Sequence, residues 1–245
     1  MKIALAGTGA FGIKHLDGLA NIDGVTVTAV VSRRLEQAEE VARKYGITHA
    51  TTDLGEVLAS DVDAVILCTP TQLHASQAIA AMRAGKHVQV EIPVADSWAD
   101  AQEVQVVQQE TGLTCMVGHT RRFNPSHQWV RRRILAGELS IQLRTGSGKI
   151  CTLSLSFNND GPLGSFFRYI CDNGTYIARY DDLVTGREEP VDVSKVDVSS
   201  NGIELQDREF VAAISEGREP NSSIASVLGC YRVLGELEEE LASQR

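Results

Sequence analysis

The sequence predicts an α/β protein whose N-terminal half is a parallel sheet covered by helices and whose second half is a mainly antiparallel α+β domain. Three observations carry this. Short, nearly continuous apolar runs alternate with helical patterns through the first half, a glycine-rich turn follows the first of these runs, and beyond Gly137 the alternation gives way to hairpin-like segments. The division falls at residues 1–123 and 124–245, and a chain of 245 residues is long enough for two such domains.

Taken in order, Ile3–Ala6 reads as the first strand, Phe11–Ala20 as a helix and Val25–Val31 as a β-branched second strand. Leu35–Tyr45 is helical with Gly46 as its stop, and Asp53 caps a short helix to Ala59. The apolar strand Ala64–Cys68 is followed by a helix over Thr71–Ala84 that ends at Gly85, then by the strand His87–Glu91. Asp96 or Ser97 caps a helix to Glu110, and Leu113–Val117 is a further strand. After a helix over Pro125–Ala136 the character changes: Ile150–Phe157 alternates as a strand and Gly161-Pro162 breaks it. Phe166–Cys171 and Thr175–Tyr180 flank Asn173-Gly174, a pair that tolerates the left-handed backbone of a tight hairpin turn. Helices over Ile203–Glu216 and Ile224–Glu240 complete the pattern. So few strands close a small core, and the second domain is expected to lay its sheet on a second copy as a homodimer.

Composition narrows the classes. Hydrophobic residues at 43% and charged residues at 22% are globular proportions, and a formal charge of −9 opposes a nucleic-acid partner. Arg131, Arg132 and Arg133 are adjacent and cannot share one helix face, so they read as solvated. Five cysteines without CxxC spacing form neither a disulfide framework nor a zinc pattern, and Cys68 and Cys115 fall in apolar runs as core thiols. No HxH or HExxH spacing suggests a metal. With no leader-like start and no apolar run of ~20 residues, a membrane partner is not expected, and a cytoplasmic location is.

Gly7-Thr8-Gly9-Ala10-Phe11-Gly12 is GxGxxG placed directly between a predicted strand and a helix, the context that makes this pattern a dinucleotide site on a Rossmann fold. Gly7 serves the turn, Gly9 the approach of the pyrophosphate and Gly12 the packing of helix on strand. The second strand ends in Ser32-Arg33-Arg34 where an NAD site usually has Asp or Glu. A carboxylate would repel a 2′-phosphate, whereas Ser32 and Arg33 can bind one, so NADP is the expected cofactor. The arginines could instead be merely solvated at a strand end, and Glu36 lies nearby. Cys68, Thr69 and Pro70 follow the next central strand and would wall the crevice; His74 either reaches that site or packs beneath it.

The glycine turn, Cys68-Thr69-Pro70 with His74, Gly85-Lys86-His87, Glu91-Ile92-Pro93 and Gly118-His119-Thr120-Arg121-Arg122-Phe123-Asn124-Pro125 together resemble the glucose–fructose oxidoreductase and inositol dehydrogenase family. The resemblance implies NADP-dependent oxidation, here of a carboxylated cyclic hemiacetal to a lactone in aromatic-compound degradation. A base takes the hydroxyl proton while the adjacent carbon gives hydride. Arg121 and Arg122 would hold the substrate carboxylates, with Asn124 lining the pocket. Glu91 would orient cofactor or water, and Pro93 would shape the nicotinamide pocket. Family members often carry Glu-Lys-Pro, but Ile92 replaces the lysine and cannot move a proton. The family also implies several dozen residues, with an Asp and His pair on an inward-facing helix, where Leu139 runs straight into Ser140. His119 is the remaining nearby imidazole for acid–base work. A sugar or cyclitol oxidoreductase and a noncatalytic nucleotide-binding subunit remain alternatives.

Overall fold

The computed structural model describes residues 1–135, 167–171, 174–179, 182–194, 196 and 202–243. These form two compact units, one of Met1–His119 with Ile203–Arg245 and the other of Thr120–Gly202. The sequence-based division kept residues 203–245 with the second half; in the structure they join the first. The reason is packing. The helix α7 (Ile203–Glu216) lies against α1 (Ala10–Leu19), and α8 (Ile224–Ser243) lies against α5 (Trp98–Thr111).

The first unit is built on six strands, β1 (Lys2–Ala6), β2 (Thr26–Val31), β3 (His49–Thr51), β4 (Ala64–Leu67), β5 (His87–Glu91) and β6 (Cys115–Gly118). All pair in parallel in the order β3-β2-β1-β4-β5-β6. The order reverses between β1 and β4, and the crevice at the carboxyl ends of these strands is where such sheets bind ligands. The continuous apolar runs are explained by burial on both faces: every residue of Ala64–Leu67 is fully buried. Ala4, Ala6, Val65 and Leu67 pack under Ala78 and Ala81 of α4 (His74–Arg83), Ala101 and Val104 of α5, and Ile224 and Val227 of α8. On α1, Gly18 leaves room for α7, since a Cβ there would meet the Cα of Glu204 at 3.1 Å.

Local chemistry sets the element ends. The helix α2 (Leu35–Tyr45) stops at Gly46 with φ 69°. Asp53 caps α3 (Leu54–Leu58) by accepting the Gly55 N–H at 2.8 Å, and the Ser97 hydroxyl accepts the Asp100 N–H at the start of α5. The helix expected over Thr71–Ala84 opens as a 3-10 turn at Thr71–Leu73 before α4 begins. The edge of β6 is covered by Pro220–Ser223: the Val117 N–H donates to the Ser222 carbonyl and the Ser222 hydroxyl donates back to the Val117 carbonyl.

The second unit holds α6 (Pro125–Leu135) and an antiparallel sheet of β7 (Phe167–Cys171), β8 (Gly174–Arg179) and β9 (Asp182–Thr185). The hairpin forms where the Asn173-Gly174 signal falls, but Gly174 is not a turn residue: it opens the return strand, one residue earlier than expected, paired with Cys171. Val130 of α6 packs on Ala178 and Leu183, ringed by Trp129, Tyr169 and Tyr176. The strand expected over Ile150–Phe157 and the junction of Leu139 with Ser140 lie outside the described residues.

Candidate functional site

The glycine turn connects β1 to α1 at the crevice. Gly7 has φ 103°, and a Cβ there would sit 2.2 Å from the Cys68 carbonyl oxygen. A Cβ on Gly12 would sit 2.0 Å from the Gly7 carbonyl oxygen. These two glycines are demanded by the chain itself. Gly9 is different: a Cβ there meets nothing of the protein within 4 Å. The backbone at Gly9 is therefore open on the side a Cβ would occupy, as close approach of a pyrophosphate to the turn requires. Gly9 is also the N-cap of α1, with no side-chain cap and no acidic residue in the first turn, so the helix start presents its N–H groups to an anion.

At the end of β2, Ser32 and Thr8 are both buried, and the Thr8 hydroxyl donates to the Ser32 hydroxyl at 2.8 Å. Arg33, Arg34 and Glu36 are exposed beside them. Across the switch point, Thr69 donates its hydroxyl hydrogen to Gln77 at 2.6 Å. His74 is buried, with Nδ1 2.6 Å from the Pro93 carbonyl oxygen and Nε2 2.7 Å from the Thr69 carbonyl oxygen. Both ring nitrogens are thus occupied within the protein. His74 braces the turn after β4 against the turn after β5 rather than reaching out of it.

A buried polar network that the sequence reading did not single out lies beneath this crevice. His15 of α1 places Nδ1 2.7 Å from Asp207 Oδ1 and Nε2 3.2 Å from Glu91 Oε1. Gln89 donates to Asp207 Oδ1 at 2.8 Å and Gln206 donates to Glu91 Oε1 at 3.1 Å. His15, Gln89, Gln206 and Asp207 are all fully buried. Burial opposes a charge on His15, but the Asp207 carboxylate and its hydrogen bond, with Cys68 alongside, hold the imidazole well above its ordinary range. Burial pushes the Asp207 carboxyl upward, with His15 pulling it back. Gly118 belongs to the same design, because a Cβ there would fall 2.4 Å from Glu91 Oε1. Glu91 is thereby fixed at the carboxyl end of β5 beside Ile92. Position on the helices could have revealed the pair: His15 shares a face with Gly12 and Leu19, and Asp207 with Ile203 and Phe210, all buried.

The second unit carries the other expected residues. The Arg121 guanidinium lies 4.9 Å from the Phe167 ring centroid, and Arg122 shares its 3-10 turn, Thr120–Arg122. Asn124 is buried and its carbonyl accepts the Gln128 N–H. His127, unremarked in the sequence, stands edge-on to Phe167 and 2.5 Å from the Tyr169 hydroxyl. Burial and the Arg121 charge push its imidazole down to about 4, so it is neutral at ordinary pH. His119 ends the first unit just beyond β6, half-buried, with its N–H on the Val117 carbonyl. Cys115 is an inert core thiol, raised to about 12 by burial. Among the described residues no cluster of metal ligands occurs and no helix is long and apolar enough to cross a membrane.

Residues 1–119 match the model of the oxidoreductase family with an NAD-binding Rossmann fold, and residues 136–197 match that of the C-terminal part of bacterial oxidoreductases. The chain belongs to this oxidoreductase family, and its first unit is a dinucleotide-binding domain. It is 60% identical to the 4-carboxy-2-hydroxymuconate-6-semialdehyde dehydrogenase of Sphingobium sp. over an alignment of 314 residues that takes in all of both chains. That alignment exceeds the 245 residues here, so the relative carries residues with no counterpart in this sequence. The NAD-dependent scyllo-inositol 2-dehydrogenase of Bacillus subtilis is 36% identical over 57% of this chain, which spans 41% of that relative's length. An oxidoreductase domain protein of Kribbella flavida shares the fold across 99% of this chain and 97% of its own, at TM-score 0.80 and 18% identity.

Proposed function

We propose that the protein uses NADP to oxidise the cyclic hemiacetal of 4-carboxy-2-hydroxymuconate-6-semialdehyde to 2-pyrone-4,6-dicarboxylate, a step of aromatic-compound degradation. The observation that carries this reading is the 60% identity, over the whole of both chains, to a dehydrogenase bearing that substrate's name. The first unit binds the dinucleotide and the second the substrate. The Gly7–Gly12 turn cradles the pyrophosphate, and Arg33 with Arg34 receives the 2′-phosphate. The bound nicotinamide supplies the hydride acceptor. Arg121 and Arg122 hold the substrate carboxylates, and Asn124 lines the pocket. His119 accepts the hemiacetal hydroxyl proton, a task that Ile92 cannot perform in place of the family lysine. Oxidation at the hemiacetal carbon gives the lactone directly, with no water consumed. The β7-β8-β9 sheet, where Ile170 is 76% exposed, is the surface for a second copy.

The primary test is NADPH formation, followed by its absorbance, with the dicarboxylated hemiacetal as substrate; the expected result is turnover, and its absence in the full encoded protein overturns the assignment. Arg33→Ala should weaken NADP by about tenfold or more, the worth of one charge-assisted hydrogen bond, and leave NAD nearly unchanged. Equal losses for the two nucleotides would remove Arg33 from the phosphate site.

A further inference from the structure

The geometry points to Gln37 as a specificity-determining residue of the nucleotide site, an inference that rests on the NADP reading above. Gln37 sits in the first turn of α2 and joins the two segments that meet the adenosine ribose. Its Nε2 donates to the Thr8 carbonyl at 3.4 Å, and its Oε1 accepts the Ser32 hydroxyl hydrogen at 3.3 Å. The Thr8 hydroxyl, in turn, donates to Ser32 Oγ at 2.8 Å. Ser32 therefore spends its only hydrogen on Gln37 and a lone pair on Thr8. It is a fixed part of the floor and not a spare donor for an incoming anion, which refines the role its position in the sequence suggests.

Chemically, this floor is neutral. Thr8, Ser32 and Gln37 span the place where a dehydrogenase selecting NAD sets a carboxylate to accept from the ribose hydroxyls. Gln37 is the one member whose nearly isosteric partner is an acid. A glutamate at this position could still accept the Ser32 hydrogen, but it would lose the bond to the Thr8 carbonyl. It would also set a negative charge beside a 2′-phosphate and offer a free 2′-hydroxyl an acceptor. The amide of Gln37 thus keeps the site open to the phosphate, while Arg33 and Arg34 provide attraction.

Titration calorimetry with adenosine 2′,5′-bisphosphate and with AMP reads this floor without involving the nicotinamide end or catalysis. The parent should prefer the bisphosphate by ~10-fold or more; a parent without that preference overturns the NADP reading itself. Given the preference, Gln37→Glu should weaken the bisphosphate by ~10-fold or more and change AMP by less than ~3-fold. Gln37→Met removes both hydrogen bonds without adding charge, and should lower the preference by at least ~3-fold through a loosened Ser32. Should the glutamate variant lose its helical circular dichroism, the methionine variant decides alone. A bisphosphate-to-AMP ratio equal to the parent's in the folded variants overturns the role of Gln37.

Discussion

Replacing Gly9 by alanine should abolish most dinucleotide binding while leaving the fold in place, whereas the same change at Gly12 should damage the fold. At Gly9 the added methyl meets no protein atom within 4 Å, so the cost is that of a poorer helix cap, about 1 kcal/mol. In the proposed nucleotide site, however, it would occupy the space through which the pyrophosphate reaches the N–H groups of α1. Affinity should fall by ~10-fold or more. At Gly12 the methyl would lie 2.0 Å from the Gly7 carbonyl oxygen, a backbone atom that cannot swing aside. Forcing α1 off β1 should cost about 1–3 kcal/mol, as overpacking does. Chemical denaturation and a fluorescence titration with NADPH, run on both variants, separate the two effects. A Gly9→Ala protein that binds like the parent would mean that no phosphate passes there.

Larger still is the effect expected at Asp207. Asp207→Ala should destabilise the protein by about 3–5 kcal/mol, because it strips a fully buried imidazole and the Gln89 amide of their shared acceptor. Asp207→Asn keeps an acceptor but no charge and should cost less. The pH dependence carries the signature of the pair. A His15 imidazole raised on folding binds its proton more tightly in the native state. Its contribution is complete below the unfolded value near 6.5, and it is lost as pH rises through the raised native value. Stability of the parent should therefore decline on the alkaline side of neutrality, and that decline should be reduced in His15→Gln. Denaturation midpoints from pH 6 to pH 9 that run parallel in the two proteins would show that His15 folds uncharged.

The centre of the parallel sheet was readable because strands such as Ala64–Leu67 are buried on both faces and so appear as apolar runs, with Gly46, Gly85, Asp53 and Ser97 punctuating the helices, whereas the short, partly exposed edge strand His49–Thr51 carries no such run. The glycine turn was readable because steric demands at Gly7 and Gly12 leave a fixed spacing. What the sequence hid are the partners of polar side chains. His15 and Asp207 meet across 192 positions, and Gln37 reaches back 29 to Thr8, separations at which local pattern carries no information. The same limit explains the domain division. An amphipathic helix such as α7 declares that one face is buried but not which sheet or helix buries it. Nor could spacing separate Gly9 from its neighbours; only the open space at its Cα does that.

Because α7 and α8 return to the first unit, a chain emerging from the ribosome reaches His119 with all six parallel strands made and the unit still incomplete. At that stage His15 has no Asp207, and β6 presents an uncovered edge where Pro220–Ser223 will later lie. Residues 120–202 must be synthesised first, for about four to seventeen seconds at common elongation rates. During that interval the nascent domain is a half-closed sheet with an unsatisfied interior, the condition in which chaperones bind and edges aggregate. On this connectivity the first unit cannot be completed until the residues that follow the inserted unit have been made.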